Sequence, residues 1–351
     1  MLKIIKIIKT LTSLLVISIL LIIGSCSKSS KVDVSSIGKL EKEERVLQKN
    51  ILIKEMLKAS NRLQNISWTM LSKNSDLCKK KSNYSFGITY ADILDLPKED
   101  HFLYISLFNK SIKPEFFKKY TVTSFPVITS VAIGSPAYAA MLKKDDIILK
   151  INSKIPINFR VALNNSISNN PLLELQILRK NKILDIKLKG KKICNYNVQA
   201  LPSGFPNAFA DGKKIFITIA AIKLARTDDE LAFLIGHELA HNIYDFNSKE
   251  TSEAFTLVID YKDRPKIREL KNLFVWSSER KEIRADVESV KLAYKGGFNL
   301  ENINDYWRRL SVFNPELIEK SNNIYKGNAY RAALIKETIS KLKRKKNNVF
   351  K

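Results

Sequence analysis

Histidine and cysteine are scarce in this 351-residue chain, with three of each. Three cysteines exclude a disulfide-dense scaffold, and three histidines make the place of each one informative. Glycine (11) and proline (10) are too few for a collagen-like or low-complexity polymer. Acidic residues are also in short supply: 35 Asp and Glu stand against 60 Lys and Arg, a formal charge of +25. Such a balance attracts anionic surfaces, whether lipid or nucleic acid. The basic residues are dispersed, however, and form no stripe interleaved with aromatics, which weighs against nucleic-acid binding. What is present is ample apolar material, 45% of residues, enough for a sizeable core in about two domains.

The amino terminus reads as an address. Lys3, Lys6 and Lys9 precede an apolar run from Leu11 to Ile23, too short for a spanning helix and suited to a signal-peptide core. It ends in Ile23-Gly24-Ser25-Cys26, which resembles a bacterial lipoprotein lipobox. The resemblance implies removal of residues 1–25, a diacylglycerol on the Cys26 thiol, and an extracytoplasmic protein anchored to membrane by lipid. In a Gram-negative host Ser27, standing where Asp would favour inner-membrane retention, points to the outer membrane. An uncleaved signal anchor is the alternative.

Three segments follow. Residues 26–78 form the first, and its part from Ser36 to Ser75 reads as helix, with Leu40, Val46, Leu47, Ile51, Ile53, Met56 and Leu57 near a 3.6-residue period. It carries no visible chemistry and is expected to be a spacer or a scaffold packed on a later domain. From 82 to 192 the pattern turns to short β-rich runs. Pro126–Val131 reads as a strand, Gly134-Ser135-Pro136-Ala137 opens a short helix ending near Leu142, and Asp145–Asn152 reads as a turn and a strand. This order resembles a PDZ domain, with Met141, Asp145 and Ser153 where that pattern usually has glycine. The resemblance implies a groove helix at 158–167, a last strand at 172–178, and a carboxylate-binding loop at Phe86, Gly87 and Ile88 that takes the C-termini of polypeptide partners. The 35 or so residues between that loop and the next strand exceed the usual spacing. A PDZ-like fold used only for packing is the other reading.

Cys78 and Cys194 flank this segment. With Cys26 lipidated, a disulfide closing the inserted domain is the economical reading, and two free thiols the alternative.

The third segment, 194–345, holds the chemistry. Two of the three histidines fall in His237-Glu238-Leu239-Ala240-His241. A chance HExxH is expected on the order of 10⁻³ times in such a chain. Thr227-Asp228-Asp229-Glu230 reads as a capping box that starts its helix. Positions i and i+4 lie on one helix face, so both imidazoles reach one Zn²⁺. Glu238 is placed beside the metal as general base and acid. A catalytic zinc needs a third protein ligand, and no histidine follows His241. A carboxylate must serve. Glu282 and Asp286, also at i and i+4, sit on a helix expected from Ser278 to Lys295 and closed by Gly296-Gly297. Glu282 is the candidate ligand, and Asp286 the candidate partner of a ligand imidazole. An ordinary solvated helix is the plain alternative.

HExxH followed about forty residues later by Glu282-Ile283-Arg284-Ala285-Asp286 resembles the signature of the CAAX-prenyl-protease-type gluzincins, the HtpX, BepA and Oma relatives. Asn207–Gly212 and Ile215–Thr218 resemble the stretch that in that family forms a hairpin whose edge strand lines the cleft. The resemblance implies an α+β protein: a mainly helical zincin-type metallopeptidase domain with a short β-hairpin, plus the inserted PDZ-like domain. It implies one Zn²⁺ per chain and cleavage of misfolded or misassembled envelope proteins, with substrate aligned on the strand near Phe216. Tyr306, Arg308 and Arg309 are candidate donors to the oxyanion. The rival is a non-proteolytic chaperone or adaptor that binds client C-termini and keeps a latent or structural zinc site. The basic tail Lys341–Lys346 is expected to be a solvated terminus.

Overall fold

The computed structural model describes residues 37–169, 171–246, 278–319 and 326–349. The fold is α+β. The signal segment and Cys26 lie outside the described residues. Contacts divide the chain into a unit ending at Gln48 and a unit from Lys49 to Lys351. Among the described residues no helix is long and apolar enough to cross a membrane.

Helix α1 (Ile37–Lys73) matches the expected span closely. Ile53, Met56, Leu63, Ile66, Met70 and Leu71 are buried, whereas Leu40, Leu47 and Ile51 of the expected stripe are exposed. The buried face enters the same core as Val198, Ile215, Leu231, Ile235 and Val290, so this helix is a scaffold.

The β-rich segment runs β1 (Ser82–Ser85), β2 (Ile88–Ala91), α2 (His101–Tyr104), α3 (Pro114–Tyr120), β3 (Val127–Val131), α4 (Pro136–Ala139), β4 (Ile147–Ile151), α5 (Phe159–Asn169), β5 (Leu172–Arg179), β6 (Lys182–Lys189) and β7 (Lys191–Cys194). Strands β2 to β6 form one antiparallel sheet in chain order. The strand expected at 172–178 is not the last. Lys180 and Asn181, both at positive φ, make a two-residue turn, and β6 pairs along all of β5. Met141 (φ 60°), Asp145 (φ 69°) and Ser153 (φ 65°) are all left-handed, at the three positions where the sequence pattern leads one to expect glycine.

The long insertion between β2 and β3 covers one face of this sheet. The Tyr104 hydroxyl donates to the carbonyls of Ala91 (2.9 Å) and Phe125 (2.7 Å), and Asn109 bonds the backbone of Phe125. Ile112, Tyr120 and Phe125 then pack on Val127, Ile147 and Leu149. The alternate residues Ile128 and Ile148 belong to a separate core with α5, and Ile151 joins it past the register shift between Ile148 and Lys150.

Strand β1 pairs with β7, so the two ends of the insertion meet, and a Cys78–Cys194 disulfide joins them there. Beyond it, β8 (Asn197–Leu201), β9 (Ala208–Ala210) and β10 (Lys214–Thr218) form a sheet of order β8-β10-β9. Strand β10 is therefore central, parallel to β8 and antiparallel to β9. This corrects the expectation for substrate alignment. The strand carrying Phe216 has both edges occupied, the outer strands are β8 and β9, and of these β9 lines the cleft. Helices α6 (Ile219–Leu224), α7 (Asp228–Tyr244), α8 (Glu279–Gly296), α9 (Asn304–Leu310) and α10 (Asn328–Val349) complete this part.

Candidate metal centre

Helix α7 carries the HExxH residues. Thr227 Oγ1 accepts the Glu230 N–H at 3.2 Å. Glu230 reaches back to the Arg226 N–H (2.7 Å) rather than to that of Thr227, a displaced form of the expected box. Arg62 of α1 fixes this corner, donating to the carbonyls of Ile222, Ala225 and Thr227. From Glu230 to Ala240 α7 is buried throughout, so packing holds it on all sides. A Cβ at Gly236 would stand 3.2 Å from Met70 Cε and from the Ser289 carbonyl oxygen, so α1, α7 and α8 approach closely there.

Helix α8 buries Glu282, Ala285, Asp286, Ser289 and Val290, a stripe of helical spacing, and Gly297 ends it at φ 85°. The stripe faces α7 and brings three groups together. His237 Nε2 is 3.2 Å from His241 Nε2 and 3.2 Å from Glu282 Oε2, and His241 Nε2 is 3.3 Å from Glu282 Oε1. These atoms can hold one metal ion. Ligands about 2.0–2.1 Å from a tetrahedral ion lie roughly 3.3–3.4 Å from one another, so the donor triangle fits zinc.

The other imidazole nitrogens face carboxylates. His237 Nδ1 is 3.0 Å from Asp286 Oδ1, and His241 Nδ1 is 2.6 Å from Asp245 Oδ2. Asp286 is fully buried, and Arg331 of α10 grips it through Nε and Nη2, both at 2.7 Å. The Arg331 guanidinium lies 3.9 Å from the Trp307 ring centroid. Asp245 is held in turn by Arg284.

Burial alone would raise the pKa of Glu282, but both imidazoles bring it well below the usual carboxylate range. Asp286 is likewise lowered, burial being outweighed by Arg331 and His237. Glu238 behaves differently: burial raises its pKa, with Glu282 adding and the two imidazoles opposing. A carboxyl whose pKa is raised holds a transferred proton more readily than a free carboxyl does, which suits it to accept and return a proton.

These residues lie in a cleft of about 420 Å³. Phe205, Leu234, Leu310 and Phe313 give it apolar walls, and β9 runs along it. In the β9–β10 ladder Asn207 pairs with Thr218 and Asp211 with Lys214 through backbone hydrogen bonds, while Ala208 and Ala210 are the intervening pairs. The peptide groups of Ala208 and Ala210 therefore face the free edge.

The three oxyanion candidates part ways. Arg308 is exposed and pairs with Asp305. Arg309 is engaged by Glu230 and donates to the Leu224 carbonyl, tying α9 to α6 and α7. Tyr306 is 2% exposed and lines the cleft. Phe86 and Gly87 lie between β1 and β2, and Ile88 opens β2. Phe86 and Ile88 are buried in the sheet core, and a Cβ at Gly87 would stand 2.2 Å from Ser135 Cβ and 3.2 Å from Trp68 Cε3. Helix α1 thus packs over the loop.

Asp245 and Arg331 were missed by sequence reasoning. Asp245 sits at i+4 from His241, a spacing that could have found it. Arg331 carries no local signal.

A sequence model of the family described as Peptidase family M48 matches residues 172–338. No curated protein matches the chain. Among solved structures, the HtrA3 PDZ domain bound to a phage-derived ligand (FGRWV) is similar at 23% identity. That match covers 23% of this chain and 77% of the other, with a TM-score of 0.19.

Proposed function

We propose that this chain, whose residues 172–338 match the model of Peptidase family M48, is a zinc-dependent endopeptidase. The observation that carries the reading is the His237–His241–Glu282 triangle, with donor atoms 3.2–3.3 Å apart and buried Glu238 in the same cleft. Bound there, zinc would acidify a water and polarise the scissile carbonyl. The rest falls to the chain. Glu238 takes the proton from the attacking water and passes it to the departing amine. Ala208 and Ala210 align an extended substrate by β-pairing on the open edge of β9. Asp286 and Asp245 hold the two imidazoles so that Nε2 of each faces the ion.

The broader biology belongs to the same proposal. Cys26 carries a lipid anchor, which places the enzyme in the cell envelope, on the outer membrane in a Gram-negative host. Misfolded or misassembled envelope proteins are its substrates. The sheet module, with a PDZ-like order of elements, selects them through their C-termini. Packing of Trp68 over Gly87 means that α1 must yield for a terminal carboxylate to reach the loop.

The test is zinc content together with cleavage of unfolded casein, wild type beside Glu238→Gln. One zinc per chain and cleavage by the wild type alone support the reading. Zinc binding without cleavage by either protein sinks it and favours the adaptor.

A further inference from the structure

The proposed reaction still lacks an assigned donor to the oxyanion. When water adds to a peptide carbonyl, a C–O bond forms and the carbonyl π pair moves onto its oxygen. That pair returns as the C–N bond breaks, and the amine leaves with the proton held by Glu238. The transient oxyanion needs a hydrogen-bond donor fixed in advance. Most donors lining the cleft are engaged. Arg331 grips Asp286, and Asn328 Nδ2 donates to Ser311 Oγ. The Trp307 Nε1–H is sealed away without a partner. Tyr306 is different. Its ring is buried against Trp307 at 5.8 Å, and its hydroxyl has no hydrogen-bond partner among the described residues. That oxygen is not among the sealed buried atoms, so it opens on the cleft that Glu238 shares.

We propose that the Tyr306 hydroxyl donates to the carbonyl oxygen of the scissile bond and stabilises the oxyanion, an assignment that rests on the peptidase reading. Burial and the nearby Glu238 carboxylate both disfavour the phenolate, so the group stays a donor at neutral pH. The neighbouring arginines of α9 turn away to Asp305 and Glu230, and of the α9 residues that line the cleft, Tyr306, Trp307 and Leu310, only Tyr306 offers an oxygen donor.

Tyr306→Phe removes the hydroxyl and keeps the ring. In the zinc-loaded protein kcat should fall about 10²–10³-fold, with KM and zinc content unchanged. Calorimetric binding of a phosphinic peptide, whose tetrahedral anionic oxygens copy the oxyanion, gives a readout without turnover. The variant should bind it about 100-fold more weakly, at an unchanged melting temperature. Phosphinate affinity within twofold of wild type overturns the assignment. So does loss of zinc along with activity, which marks a structural role. If the wild type turns nothing over, the peptidase reading fails and the oxyanion role falls with it; weaker phosphinate binding by the variant then shows only that the Tyr306 hydroxyl donates to a bound anion.

Discussion

Asp245 holds His241 from one turn further along the same helix, with Oδ2 2.6 Å from Nδ1. Asp286 stands 3.0 Å from Nδ1 of the first histidine across the α7–α8 interface, close but without the aligned hydrogen bond that Asp245 makes from the end of α7. A carboxylate on the far nitrogen fixes the tautomer that leaves Nε2 free for metal. Asp245→Asn should therefore weaken zinc binding about 10–100-fold, as should Asp286→Asn. Competition with a chromophoric chelator measures it. Affinity equal to wild type in the Asp245 variant would remove Asp245 from the metal's support.

Met141, Asp145 and Ser153, three of the seven non-glycine residues at positive φ among the described residues, store strain. Side chains at positive φ cost on the order of 1 kcal/mol each, which glycine would relieve. Met141→Gly should raise stability by roughly 0.5–1 kcal/mol, because the Met141 side chain is exposed and loses no packing. Chemical denaturation reads this directly, and a destabilised variant would mean that the side chain packs after all.

Trp68 should restrain peptide capture. It is 4% exposed and lies over Gly87, the residue whose neighbours would receive a terminal carboxylate. In Trp68→Leu a labelled peptide with a free C-terminus should bind several-fold more tightly than to wild type, and its amidated twin should not respond. Fluorescence anisotropy is the measurement. Equal binding by both proteins and both peptides would show that the loop takes no carboxylate.

Asp95 sets a pH dependence in the same module. Burial raises its carboxyl to about 6, Asp92 adds, and Arg160 at 2.6 Å opposes. The folded state thus favours the protonated acid. Its contribution is fully present below the unfolded value of 3.8 and is lost as pH rises through about 6. Asp95→Asn does not titrate. Its stability relative to wild type should improve between pH 4 and pH 7 by on the order of 2–3 kcal/mol. Parallel stability curves over that range would show that Asp95 keeps an ordinary pKa.

Much of the site was legible because its geometry is local. His237 and His241, like Glu282 and Asp286, are each one helical turn apart, and a helix fixes such spacing without tertiary information. The alternation in β5 was equally plain, yet β6 was missed. Its turn uses Lys180 and Asn181 rather than the glycine-bearing pair that marks a tight hairpin. Arg331 was hidden for a different reason. It lies 45 residues from Asp286, and only the packing of α10 against α8 brings the two together. The identity of the edge strand was also tertiary, since either strand of the hairpin reads as an edge until the parallel partner β8 is known.

Asn242, next to the second histidine, has both ends of its amide in use. Its Oδ1 accepts the Gly212 N–H at 2.7 Å, and its Nδ2 donates to the Lys214 carbonyl at 3.1 Å. Tyr196 donates to its backbone carbonyl as well. One side chain thus clamps the β9–β10 turn to the helix that bears the imidazoles. A shift of α7 must carry the hairpin with it, so the open edge of β9 and the His237–His241–Glu282 centre keep a common frame of reference. On the proposed peptidase reading, the distance from the anchoring edge to the scissile bond is built into a single asparagine.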